Sequence, residues 1–178
     1  MEFTELIEAR RSIRHYDADK KVTKEQVEEM VEAAIQAPSW KNSQTARYYA
    51  VLSDEKIAEL NEKGLPAFNA KNAEGAALIV TTFVANRAGF DREGNPDNEV
   101  GNGWGYYDCG LHNEHLVLKA KDMGLDTLIM GIRDADAIRE ILSIPETEII
   151  VAVIAVGYAT QTAEKPKRKT PEDIITFC

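Results

Sequence analysis

Thiols, imidazoles and positive charge are all scarce in this chain, and each shortage removes a class of chemistry. The 178 residues include only two cysteines and three histidines. Cys109 and Cys178 show no metal-ligand spacing and cannot build a disulfide framework. Cys109 lies in an apolar helical context, which predicts a core thiol, and Cys178 is the last residue. His112 and His115 flank Glu114 on a predicted helix, but their order is not His-Glu-x-x-His and a third ligand is missing. No metal is therefore expected. Asp91, Glu93, Asn95, Asp97 and Glu99 alternate like a calcium loop, yet the glycine and terminal-glutamate spacing is wrong, so they read as a solvated loop. Lys and Arg number 21 against 30 Asp and Glu, a formal charge of −9. An acidic surface repels phosphate backbones, which argues against a nucleic-acid partner. No apolar run approaches membrane-spanning length; the longest, Ile149–Val156, reads as a buried strand. The first residues carry no basic region followed by an apolar stretch, so a cytoplasmic protein without a secretory signal is expected.

What remains is ordinary enough to fold. A hydrophobic fraction of 44% over this length supports one sizeable core, and residues 1–178 are expected to form a single domain. A first helix is expected over Phe3–Arg10. Thr23 and Gln26 have the spacing of a capping box, and Val27, Met30, Val31, Ala34 and Ile35 form the apolar stripe of the helix behind it. Pro38 ends that helix. Strands are predicted at Tyr48–Leu52, Ala77–Val84, Thr127–Met130 and Ile149–Val156. Ser53 and Asp134 each cap a helix, running to about Leu60 and Leu142. Asn86–Tyr106, rich in Gly, Asn and Asp, reads as a long functional or mobile loop, followed by a helix over Tyr107–Met123 that stops at Gly124. Gly101-x-Gly103-x-Gly105 lacks the strand–turn–helix context of a dinucleotide fingerprint. The pattern predicts an α+β fold with helices covering a central mixed sheet.

Two segments carry candidate chemistry. In Arg10-Arg11-Ser12-Ile13-Arg14, an extended backbone puts Arg10, Ser12 and Arg14 on one face. Guanidiniums and a hydroxyl there suit a phosphate. Taken alone, the segment reads rather as a solvated charged turn after a helix. A second basic cluster, Lys165-Pro166-Lys167-Arg168-Lys169, lies near the other chain end. Ala37-Pro38-Ser39-Trp40-Lys41-Asn42-Ser43-Gln44 leaves a helix as a loop dense in amides and hydroxyls that can read a heterocycle edge, or serve as an ordinary polar loop. Ser39 has no evident His and Asp partners, which argues against a hydrolase. Trp40 and Trp104 are candidate walls for a flat substrate, while Tyr106 and Tyr107 read as packing residues.

In order along the chain stand Arg-Arg-Ser-Ile-Arg, Ala-Pro-Ser-x-x-Asn-x-Gln, Asp108-Cys109-Gly110, the turn from Gly124-Leu125 into Ile129-Met130-Gly131, and Gly157-Tyr158 before the basic tail. This ordered set resembles the nitroreductase family over nearly the whole chain. The resemblance implies FMN bound at a homodimer interface, with NADH or NADPH as electron donor and a small acceptor such as a nitroaromatic, quinone or enone. It implies that Arg10, Arg11, Ser12 and Arg14, with Lys167 and Arg168, hold the phosphate and ribityl end. Pro38 and Ser39 would face the isoalloxazine from the partner subunit, Asn42 and Gln44 its polar edge, and the backbone of Met130 and Gly131 the opposite side. It requires no catalytic acid or base. Alternatives within the resemblance are a different flavin chemistry or a flavin-binding module without turnover. Two departures stand out. Thr45 replaces the proline that usually follows the glutamine, and Met130 occupies a position that is often acidic in relatives.

Overall fold

Two strands almost without polar residues decide where the core must lie. A computed structural model describes all residues, Met1–Cys178. Its elements are α1 (Phe3–Ala9), α2 (Lys24–Ala34), β1 (Ala46–Val51), α3 (Asp54–Glu59), α4 (Ala67–Asn72), β2 (Ala77–Val84), α5 (Gly103–Asp122), β3 (Asp126–Met130), α6 (Ala135–Leu142) and β4 (Glu148–Gly157). The strands form one sheet in the order β1-β2-β4-β3. Along β2, Leu78 and Val80 face one apolar cluster, and Ala77 and Ile79 face the other. That alternation buries both faces of the strand, so β2 and β4 read as continuous apolar runs. One cluster joins the sheet to Leu60, Leu65, Ile138 and Ile144; the other joins it to Val27 and Met30 of α2 and Leu116 and Val117 of α5.

The sheet is not mixed, as the sequence predicts, but antiparallel at every ladder. β2 and β3 run in the same direction, but the α5 crossover leaves room between them, and β4 fills it. The single parallel pairing is an isolated bridge, Ser12 to Thr127, on the outer edge of β3. No helix is long and apolar enough to cross a membrane.

Helix ends follow their expected chemistry. Gln26 donates its amide N–H to Thr23 Oγ1 (3.2 Å), and the Thr23 amide donates to Gln26 Oε1 (3.0 Å). Asp134 caps α6 by accepting from Ala137 N–H at 3.0 Å. At the end of α5, Gly124 takes φ +80°, and the amides of Gly124 and Leu125 donate back to Lys121 and Ala120.

Two elements depart from expectation. α5 begins at Gly103 rather than Tyr107, so the connecting loop is shorter than predicted. Gly105 packs on the Phe83 ring so closely that an added Cβ would lie 2.2 Å from it. Gly105, which reads as loop punctuation, is thus required by helix-on-sheet packing. The short helix α4, behind Pro66 at its N-cap, was not anticipated; six residues are too few to show a period.

Candidate functional site

The chain ends meet at the outer edge of β3. Ile13 donates its amide N–H to Thr127 O at 3.0 Å and is buried, which turns its neighbours Ser12 and Arg14 outward. Arg10, Arg11, Ser12 and Arg14 then line a cavity of about 500 Å³ with Ala163, Glu164, Lys165, Pro166 and Arg168. Of the two tail residues that the resemblance names, Arg168 lines this cavity. Lys167 does not line the cavity; Lys165 does, with Glu8 3.6 Å from its Nζ. None of the four guanidiniums has a carboxylate within 4.0 Å. Arg11 and Arg14 donate only to nearby backbone carbonyls, and so does Arg168. In a chain of charge −9, four unpaired guanidiniums around one cavity make a site for an anion.

β3 leads away from that cavity. Thr127 and Met130 lie three residues apart on it, about 10 Å at the rise of a strand. The Met130 side chain is buried in the core, so this position offers a ligand only backbone. Gly131 is exposed, and a Cβ built on it would meet nothing within 4 Å. The strand therefore presents an anion cavity at one end and an open backbone edge at the other, a spacing that fits a phosphate joined to a flat ring by a short polyol.

The turn after α2 is built differently. Lys41, Asn42 and Gln44 all adopt left-handed backbone, with φ of 46°, 55° and 47°. For non-glycine residues such backbone is strained and persists only where the surroundings over-determine it. Here Asp108 Oδ2, on buried α5 backbone, accepts the Trp40 amide N–H at 2.8 Å. The Gln44 amide donates to Ser39 Oγ at 3.0 Å, and Lys41 Nζ pairs with Asp97 at 2.8 Å. The Trp40 and Trp104 rings lie with centroids 4.5 Å apart, and Trp104 Nε1 donates to Asn98 Oδ1 at 3.0 Å. Thr45, the departure from the family pattern, is 3% exposed and directly precedes β1. Pro38, Asn42 and Gln44 remain exposed, with Ser39 half-buried. Trp40 and Asn42 line a second cleft with Lys41, Ser43 and loop residues 86–94. This cleft and the cation cavity share no lining residue. The two clefts of one chain are therefore separate.

Beneath the turn, α5 presents buried polar groups to which the sequence reading gave no role in the site. Burial pushes the Asp108 carboxyl upward, against the Trp40 hydrogen bond. One helical turn on, His112 is 3% exposed with neither ring nitrogen hydrogen-bonded. Burial lowers its affinity for a proton, so the imidazole is neutral near pH 7. Cys109 is a core thiol as expected, pushed up by burial to about 11, and is no nucleophile. The clue to Asp108 lay in the run Gly105, Asp108, Cys109, His112, Leu116, which marks the buried face once the true helix start is known.

The chain matches the model of the nitroreductase family over residues 7–158. It is 27% identical to an Archaeoglobus fulgidus protein named NADH dehydrogenase/NAD(P)H nitroreductase, over 88% of this chain and 85% of that one. Among solved structures, one from Exiguobacterium sibiricum 255-15, described as a nitroreductase in complex with FMN, is 26% identical, covers 100% of this chain and 98% of its own, and superposes with a TM-score of 0.82. A nitroreductase family protein from Streptococcus pneumoniae TIGR4, 24% identical, shares the fold with a TM-score of 0.84 over 99% of this chain and 100% of its own. The match spans most of the sequence: the chain belongs to the nitroreductase family.

Proposed function

We propose that this chain is an FMN-dependent oxidoreductase that takes electrons from NADH or NADPH and passes them to a small acceptor such as a nitroaromatic, quinone or enone. The observation that carries the reading is the cavity of unpaired guanidiniums beside an open strand edge. FMN, when bound, supplies the hydride-accepting and hydride-returning chemistry. The protein supplies position and charge. Arg10, Arg11, Arg14 and Arg168 neutralise the phosphate, and Ser12 offers a hydroxyl beside them. Lys165 supports this cluster from the position next to Pro166; Lys167 would need to turn inward to join it. The backbone at Met130 and Gly131 borders the ring on one side. Pro38 and Ser39 of a second copy border it on the other, with Asn42 and Gln44 at its polar edge. No side chain need act as an acid or base in the hydride step, and Cys109 and His112 are buried and uncharged. Donor and acceptor then occupy one site in turn, which gives ping-pong kinetics.

A homodimer follows from the separation of the half-sites. α1 contributes no buried residue; Phe3 is 68% exposed, Tyr107 on α5 60%, and Phe177 in the tail 91%. Such apolar groups are suited to a subunit interface. Two measurements test the reading. The purified protein should show a flavin absorption spectrum and release FMN on heating; a colourless protein that stays colourless after incubation with FMN and desalting overturns it. Light scattering should give twice the 19.8 kDa chain mass.

A further inference from the structure

The cation cavity leaves a second group of positive charges unexplained. The cleft beside the strained turn, about 920 Å³, is lined by Trp40, Lys41, Asn42, Arg87, Phe90 and Arg92, among others. Its volume suits a large ligand. Lys41 is spoken for by Asp97 at 2.8 Å. Arg87 and Arg92 are not: neither guanidinium has a carboxylate within 4.0 Å or donates a hydrogen bond, although both lie on the same short loop as Asp91 and Glu93. Asp91 is turned to the loop itself, accepting the amides of Glu93 (3.0 Å) and Asn95 (2.7 Å) and the Asn95 side chain (3.2 Å). Asp91 keeps its charge but is held by those bonds, and Glu93 is the second carboxylate in the cleft; neither pairs with Arg87 or Arg92. Trp40 and Phe90 add flat apolar faces beside the cations.

The chain carries a net charge of −9, so an anionic ligand is repelled everywhere except where cations stand unpaired. The first unpaired group matches the phosphate of the flavin. We propose that the second, Arg87 and Arg92, reads the phosphates of the dihydronicotinamide dinucleotide, docking the donor in the cleft while Trp40 and Phe90 flank a ring. The inference rests on the reading of the chain as an NAD(P)H-dependent flavoprotein. It assigns the donor's recognition to the loop between β2 and α5, outside the segments that carry the family resemblance. It also makes recognition separable from chemistry, because the reacting nicotinamide itself bears no phosphate.

The test compares three donors, NADH, NADPH and phosphate-free N-benzyl-dihydronicotinamide, on flavin-loaded wild type, Arg87→Gln, Arg92→Gln and the double variant. With the dinucleotides, KM should rise about tenfold in the double variant, as expected for two solvent-facing charge-assisted contacts. Their kcat should hold. With the phosphate-free donor, kcat/KM should not change. Added salt should raise the wild-type KM for the dinucleotides and do so less in the double variant. A rise shared by NADH and NADPH assigns the arginines to the bridging diphosphate; a rise for NADPH alone assigns them to the ribose phosphate that only NADPH carries. An equal change for all three donors, or none for any, overturns the proposal. Absence of flavin absorbance and of turnover with the phosphate-free donor in wild type would overturn the parent reading, and this proposal with it.

Discussion

The two half-sites are held by opposite means. The anion cavity has no strained backbone: its arginines stand on an extended segment pinned to β3 through buried Ile13, and their charges are unpaired. The turn at residues 38–45 is neutral in its reading groups but strained, with three left-handed residues fixed from outside by Asp108. The first stores its function in charge and the second in shape. Mutations should therefore act on the first through ligand affinity, and on the second through stability and geometry together.

The largest effect is expected at the cavity. Replacing Arg10 and Arg14 together by Ala should weaken FMN binding by about 100-fold, roughly 3 kcal/mol for two charged hydrogen bonds to a phosphate. Thermal stability of the flavin-free protein should not fall, because neither guanidinium pairs within the chain. Fluorescence titration of flavin-free protein with FMN checks the first point and a melting curve the second. Unchanged affinity would remove the phosphate assignment and with it the contrast between the two regions.

The turn should behave in reverse. Asp108→Ala leaves the Trp40 amide without its acceptor in a buried setting, which should destabilise the fold by about 2 kcal/mol. It also frees the left-handed turn to relax, so activity should fall in the protein that remains folded. Asp108→Asn keeps an oxygen in place and should restore most of both. Chemical denaturation and steady-state rates on the same samples distinguish the cases. If Asn does no better than Ala, the carboxylate charge and not the hydrogen bond holds the turn. A smaller effect of the same kind is expected at Gln44, where φ of 47° suits glycine. Gln44→Gly should raise stability by up to about 1 kcal/mol, the relief of a left-handed residue less the entropy glycine adds to the unfolded chain.

The same contrast explains what could be read in the sequence. The basic lining of the cavity was legible because Arg10, Arg11 and Arg14 fall within five residues and its second half is another short run; that Lys165 lines it and Lys167 does not was not. Both core strands were legible because β2 and β4 are apolar on both faces. The antiparallel order was not, since no local pattern says that β4 inserts between β2 and β3. The clamp on the turn is a contact between residues 40 and 108, and nothing near either residue announces it. The start of α5 was hidden because Gly103 and Gly105 read as loop, although Gly105 is there to admit the Phe83 ring.

His112 offers the finest test of the shape-built region. Its imidazole is buried on α5 one turn from Asp108, and its ring nitrogens have no partner in the chain. Burial holds its folded-state pKa below the ordinary 6.5, against a favourable contribution from Asp108. At pH 7 it is mostly neutral in both states, so its contribution to the pH dependence is small. As the pH falls through 6.5, the unfolded chain takes up a proton that the folded chain refuses, so stability drops until the pH reaches the lowered folded value. Asp108 acts in the opposite sense at lower pH: its raised folded pKa means that the folded state gains its proton first, so stability recovers in part as the pH falls through that value toward 3.8. The exposed carboxylates with lowered pKa values, such as Glu59 and Asp122, lose their contribution only on further acidification. His112→Leu should therefore flatten the stability profile just below pH 6.5 and raise stability at pH 7 by about 1 kcal/mol, by removing an unpaired buried polar group. Denaturation midpoints across pH 5 to 7.5 measure both. A leucine variant less stable than wild type at pH 7 would mean that the imidazole is satisfied in the assembled protein, and that the polar layer under the turn contributes to its rigidity together with Asp108.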